Sequence, residues 1–261
     1  VASWRWSGRE APHADDDDGT PMSWIEGPLL GFDTETTGVD VDVDRIVTAA
    51  LVRRDASGTH IRTWLIDPGV EIPAAASAIH GITTAHAHAH GAPPVVALEE
   101  IATLVAAAFS DGIPVVAFNA CYDLSILDAE LTRHSLATVP DRLGRPAAPV
   151  LDPLVLDRHA DRYRRGKRKL VDLCGVYEVG TGSLHSADVD VVATLDVLAR
   201  LVERFPDLAE LDLAALHARQ VAAHRAWAEE FNVWRTGQGF AGPGADTDWP
   251  TRTPVTAVAT L

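Results

Sequence analysis

Leu29-Leu30-Gly31-Phe32-Asp33-Thr34-Glu35-Thr36-Thr37-Gly38 carries an apolar run directly into two carboxylates and then a turn. Leu29 to Glu35 reads as a strand, closed by the turn at Thr37-Gly38. Residues two apart on a strand share a face, so Asp33 and Glu35 stand side by side. Hard oxygen ligands on one rigid strand suit Mg²⁺ or Mn²⁺. Two carboxylates at the end of a buried strand are costly unless cations or hydrogen-bond donors meet them. An Asp-x-Glu pair alone is ordinary strand polarity; its place after an apolar run gives it weight.

Working outward, Arg45 to Arg54 and Thr59 to Asp67 are β-rich, and the short connection Asp55-Ala56-Ser57-Gly58 favours an antiparallel meander. A short helical piece follows around Ala74 to Ile79. A long one spans Val95 to Phe109, with Leu98, Ile101, Leu104, Val105 and Ala108 in helical spacing. His86, His88 and His90 alternate in an Ala-rich stretch and read as a polar loop rather than a metal claw. Pro114 to Phe118 is a buried strand leading to a helix over Ala120 to His134. Val150 to Leu156 is a strand or the start of a short helix. Leu170 to Val176, Ser186 to Phe205 and Leu208 to Trp234 are helical. A meander followed by strands alternating with helices predicts an α/β domain built on one mixed sheet.

Two further segments carry chemistry. Val115 to Asp123 takes a buried strand to a helix start, with Asn119 a candidate N-cap and Asp123 in the first turn, where an acidic residue also simply complements the helix dipole. In His185-Ser186-Ala187-Asp188-Val189-Asp190, Ser186 can cap the next helix, leaving His185 on the preceding loop and Asp190 about a turn inside. A loop histidine beside a helix-borne carboxylate can reach a water while the carboxylate reaches a metal.

The formal net charge of -15 argues against a protein that grips long duplexes through a basic surface. One segment runs the other way: Arg158, Arg162, Arg164, Arg165, Lys167, Arg168 and Lys169 lie within twelve residues, either a solvated loop or a phosphate-steering patch. The 2 cysteines, Cys121 and Cys174, lack the spacing of a zinc site and read as buried small hydrophobes. No apolar run is long enough to span a bilayer, so a cytoplasmic protein without membrane contact is expected. Residues 1–21, with the Asp15 to Asp18 run, read as a disordered acidic tail. Residues 22–205 read as the catalytic domain, 206–236 as a C-terminal helical extension and 237–261 as a flexible tail.

Together the three segments resemble the DEDDh (DnaQ-like) exonucleases, the group that includes the proofreading epsilon subunit of bacterial DNA polymerase III. Asp33 and Glu35 fit the first motif, Asp123 the second, and His185 with Asp190 the third. The tyrosine branch of the superfamily needs Tyr where this chain has Ser186, which favours the histidine branch. The resemblance runs from about Leu29 to Phe205. It implies a ribonuclease H-like fold with a mixed five-stranded sheet flanked by helices. It also implies two Mg²⁺ or Mn²⁺ ions held by Asp33, Glu35, Asp123 and Asp190, with His185 as the base. Ile79-His80-Gly81-Ile82 is similar to the family's segment in which a histidine approaches the terminal nucleotide, and Thr34 and Thr36 are candidate contacts to that nucleotide. Ala75 departs from relatives that are acidic at that position. Asp188 rivals Asp190, but the family spacing favours Asp190. Asp152 reads as a supporting or structural residue.

The implied activity is 3′-to-5′ removal of nucleoside 5′-monophosphates from a single-stranded or frayed 3′ end of DNA, in proofreading or repair. An RNA-trimming enzyme of the same chemistry is the alternative, and a non-catalytic replication adaptor a third reading. The stripe Trp227, Phe231, Trp234 on the last helix is explained by packing on the parent domain, or else by docking to a polymerase or other replication partner.

Overall fold

Alternation along the first strand divides the core in two. The computed structural model describes residues 23–182 and 186–252, and in it β1 spans Leu29–Thr36. Leu30 and Phe32 face one apolar cluster, while Leu29 and Gly31 face the other. β1 pairs antiparallel with β2 (Ile46–Asp55), and β2 with β3 (Gly58–Leu65), so the predicted meander is present. Asp55 pairs with Gly58 across a two-residue loop, where Gly58 holds φ at +122°.

The other side of β1 pairs in parallel with β4 (Val115–Val116), which pairs in parallel with β5 (Val150–Leu151). The result is a mixed five-stranded sheet in the order β3-β2-β1-β4-β5. The strand expected over Pro114 to Phe118 is shorter than its apolar run, because the chain turns out of the sheet after Ala117. The apolar run from Val150 divides into β5 and a following helix.

Nine helices lie among the described residues: α1 (Ala74–His80), α2 (Thr84–His90), α3 (Pro94–Ser110), α4 (Ala120–Arg133), α5 (Val139–Leu143), α6 (Pro153–Ala160), α7 (Leu170–Val176), α8 (Ala187–Arg204) and α9 (Leu213–Gly237). α3 and α4 cover one face of the sheet through Leu98, Ile101, Leu124 and Leu127. α7 and α8 cover the other through Leu173, Val191, Leu195 and Leu198. No described helix is long and apolar enough to cross a membrane.

Two expectations are corrected and one unassigned helix is added. The His86, His88, His90 segment is helix α2 rather than a loop. Thr83 caps it by accepting from the His86 N–H, Ala87 is buried beneath it, and His88 Nδ1 lies 2.9 Å from Asp67. α5 went unread because it is short, and Pro140 there occupies the first turn, where a missing N–H costs nothing. The stretch after Gly237 is, as far as residue 252, packed rather than a loose tail. Trp249 is buried in the α3/α4 core cluster, Asn232 bonds both N–H and C=O of Ala245, and the Arg252 N–H donates to Ser125 Oγ. The acidic run at residues 15–18 lies outside the described residues.

Candidate active site

β1 delivers its carboxylates to the place where α4 and α8 begin. Asp33 and Glu35 follow Gly31 on the α8 face, and Asp190 comes up to them from the first turn of α8. One carboxylate oxygen from each of the three can be chosen so that all lie within 4.8 Å of one another. Asp188 is not part of this group; it takes a hydrogen bond from Ser186 Oγ. Ser186 occupies the N-cap position of α8, but its hydroxyl accepts no backbone N–H of the helix, contrary to the capping expected of it.

Asp123 reaches the same region from the opposite face. Thr34, between the two acidic residues of β1, points toward α4 and donates both its N–H (3.0 Å) and its Oγ1–H (2.7 Å) to Asp123 Oδ1. A dipeptide step on one strand therefore addresses two helices. The electrostatics agree with this convergence. Burial first, and then the charges of Asp123, Glu35 and Asp190, hold the Asp33 carboxyl well above its ordinary pKa. Burial and then Asp190 push Glu35 up to about 7. Burial pushes Asp123 up to about 7 against the opposing bonds from Thr34. Clustered carboxylates that resist ionisation are the donor set of a hard divalent cation, whose charge would relieve both the repulsion and the desolvation. The residues present fit such an ion.

The start of α4 is built differently from expectation. Asn119 sits at the N-cap position in the left-handed region (φ 61°, ψ 44°), which Asn tolerates better than most residues, and its side chain caps nothing. Buried Asp152 takes that part instead. Its oxygens accept the N–H groups of Asn119 (3.1 Å), Ala120 (3.0 Å) and Leu154 (2.9 Å), joining the first turns of α4 and α6 behind Asp123.

A cleft of about 530 Å³ opens beside Asp33 and Asp123, with Tyr122 on one wall and Arg158, Arg168 and Lys169 on another. A second cavity of about 320 Å³ lies beside Glu35 and includes His80, Trp64 and Asp188. The His80 Nδ1 accepts the Ile82 N–H at 3.1 Å, leaving the hydrogen of the neutral ring on Nε2; burial lowers its pKa. The hydroxyl of Thr36 is engaged within the protein: it donates to the Gly38 carbonyl at 2.6 Å and lies 2.7 Å from the Tyr122 hydroxyl. Tyr122 was not singled out from the sequence, although it directly precedes Asp123. His185 lies outside the described residues.

The comparisons with known proteins accord with this geometry. The family model described as exonuclease, RNase T, matches residues 30–198. A DNA polymerase III subunit epsilon-like protein of Rhodobacter capsulatus is 33% identical over 190 residues, 70% of this chain and 24% of its own length. The PolC-type DNA polymerase III of Lacticaseibacillus paracasei is 28% identical over 187 residues, 68% of this chain and 12% of the relative. The chain thus spans a quarter or less of these relatives. Among solved structures, E. coli exonuclease I in complex with a dT13 oligonucleotide superposes with a TM-score of 0.58 at 21% identity, covering 70% of this chain and 43% of the other. Exonuclease I of Methylocaldum szegediense gives a TM-score of 0.56 at 24% identity, over 80% of this chain and 45% of that one. These structural likenesses establish the ribonuclease H-like fold. The matched residues contain the convergent carboxylates, and the chain belongs to the RNase T exonuclease family.

Proposed function

We propose that this protein is a divalent-metal-dependent 3′-to-5′ exonuclease that shortens single-stranded or frayed DNA ends by one nucleoside 5′-monophosphate at a time. The observation that carries the reading is the meeting of Asp33, Glu35 and Asp190 within 4.8 Å, with Asp123 linked to them through Thr34. Asp33, Glu35 and Asp190 would hold one Mg²⁺ or Mn²⁺ ion, and Asp123, beside Asp33, would help hold a second. When bound, such a pair supplies a Lewis acid for the scissile phosphate and neutralises the charge gathered in the displacement.

The chain's own groups do the rest. His185 removes the proton from the attacking water, a task suited to an imidazole. His80 contacts the terminal nucleotide from the cavity beside Glu35; Thr36, whose hydroxyl is engaged in the protein, contributes through its backbone, and Thr34, whose N–H and hydroxyl both serve Asp123, through its carbonyl. Proofreading or repair is the proposed setting, in keeping with the polymerase III relatives.

The reading is tested with DNA and RNA strands labelled at the 5′ end and incubated with Mg²⁺, Mn²⁺ or chelator. A ladder shortening from the 3′ end, mononucleotide release and loss of both with chelator or in Asp33→Ala are expected. Cleavage that persists in folded Asp33→Ala, or that begins internally or at the 5′ end, overturns it. A ladder on RNA alone moves the substrate to RNA.

A further inference from the structure

The basic segment after α6 and the aromatic stripe of α9 form one groove. It has a volume of about 640 Å³, and Arg158 and Arg168 line both this groove and the cleft beside Asp33. One wall is α9, with Trp227 and Phe231 stacked at 5.4 Å between ring centroids. The other is the segment carrying Arg162 and Tyr163. α9 begins beyond residue 198, where the family match ends, so this groove depends on the helical extension.

Three observations say what fits it. The chain carries a formal charge of -15, yet seven of its 22 Lys and Arg residues fall between Arg158 and Lys169. The groove is preformed, because fully buried Asp157 accepts hydrogen bonds from Arg164, Arg168 and the Tyr177 hydroxyl and so fastens the basic segment to the domain. Tyr163, which lines it, is 89% exposed, and the Arg162 guanidinium lies 5.8 Å from its ring centroid. Aromatic platforms interleaved with cations along a groove bind single-stranded nucleic acid, since bases stack on the rings while phosphates meet the cations. Duplex needs a broader basic face than this chain offers.

We infer that the groove between α9 and residues 161–169 holds the single strand 5′ of the nucleotide being removed, with Tyr163 as a stacking platform and Arg162 as a phosphate partner. Arg162 now pairs with Glu230 on α9 through two bonds of 2.6 and 2.8 Å, both side chains largely exposed, and an entering phosphate exchanges for that carboxylate. The inference rests on the exonuclease reading, which supplies the strand end in the cleft.

Binding without turnover tests it separately from catalysis. Intrinsic tryptophan fluorescence of the full chain is titrated with dT15 and dT3 in chelator, for wild type, Tyr163→Ala and Arg162→Ala; both positions are exposed enough for the variants to fold. Wild type should bind dT15 at least tenfold more tightly than dT3. Tyr163→Ala should lose about tenfold on dT15, and Arg162→Ala should flatten the salt dependence by about one phosphate contact. Unchanged dT15 affinity in both variants, or no preference for dT15 in the wild type, overturns the groove and returns this face to a protein partner. Failure of the 3′-end cleavage assay with intact dT15 binding would instead sink the catalytic reading alone.

Discussion

Asp152 shows how a single side chain can hold a site it does not enter. Its buried carboxylate satisfies three backbone N–H groups, two of which open α4 just before Asp123. Asp152→Ala strands those donors, and a loss of about 3 kcal/mol or more in unfolding free energy is expected from urea denaturation. A change within about 0.5 kcal/mol, the range of an ordinary surface substitution, would contradict that role. The carboxylates in front of it tie stability to pH. Glu35 and Asp123 keep their protons up to about pH 7 in the folded, metal-free protein, whereas in an unfolded chain they ionise near pH 4. Their contribution to stability is therefore fully present below the unfolded value and is lost as pH rises from about 4 to about 7. The Tm of chelator-treated protein should fall over that interval more steeply in the wild type than in Glu35→Gln. Mn²⁺ should raise Tm more at pH 8 than at pH 5, because only ionised carboxylates bind it. A metal increment independent of pH would argue against the cluster as the site.

At the scale of elements, the packing of α8 on β1 decides whether Asp190 arrives. A Cβ at Gly31 would collide with the Val191 side chain and crowd Leu195, one turn further along the helix. Gly31 is thus where α8 comes close enough for its first turn to meet Asp33 and Glu35. Gly31→Ala should cost about 1–3 kcal/mol by overpacking and, by lifting the helix, weaken Mn²⁺ binding measured by calorimetry. Stability lost with Mn²⁺ affinity intact would show that the helix start moves independently of its body. The same packing explains what could be read in advance: period-two alternation on β1 already placed Asp33 and Glu35 on one face. That Thr34 serves Asp123 from the other face was not legible, because it depends on how α4 is tilted across the sheet.

In the whole molecule, the extension beyond residue 205 closes the sheet as well as lining the groove. β5 is an edge strand, and α9 supplies the partners a further strand would have given. The Val150 N–H donates to His217 Nδ1 (3.1 Å), the Asp152 N–H to Gln220 Oε1 (2.7 Å), and Gln220 Nε2 donates to the Val150 carbonyl (3.0 Å). Exposed strand edges invite pairing between chains. A chain ending at Phe205 should melt at lower temperature and associate at micromolar concentration, as read by calorimetry and size-exclusion chromatography; a stable monomer would refute that role of α9. The sequence by itself determined the meander, the mixed sheet and the carboxylate pair on β1, because strand periodicity and helical spacing are local and survive without knowledge of neighbours. Only the tertiary structure decided that Asp152 rather than Asn119 caps α4, that α2 is a helix anchored by buried Ala87, and that the segment to residue 252 folds back. Each of these turns on partners far away in the chain, and such pairings are chosen by which buried polar groups would otherwise lack a bond.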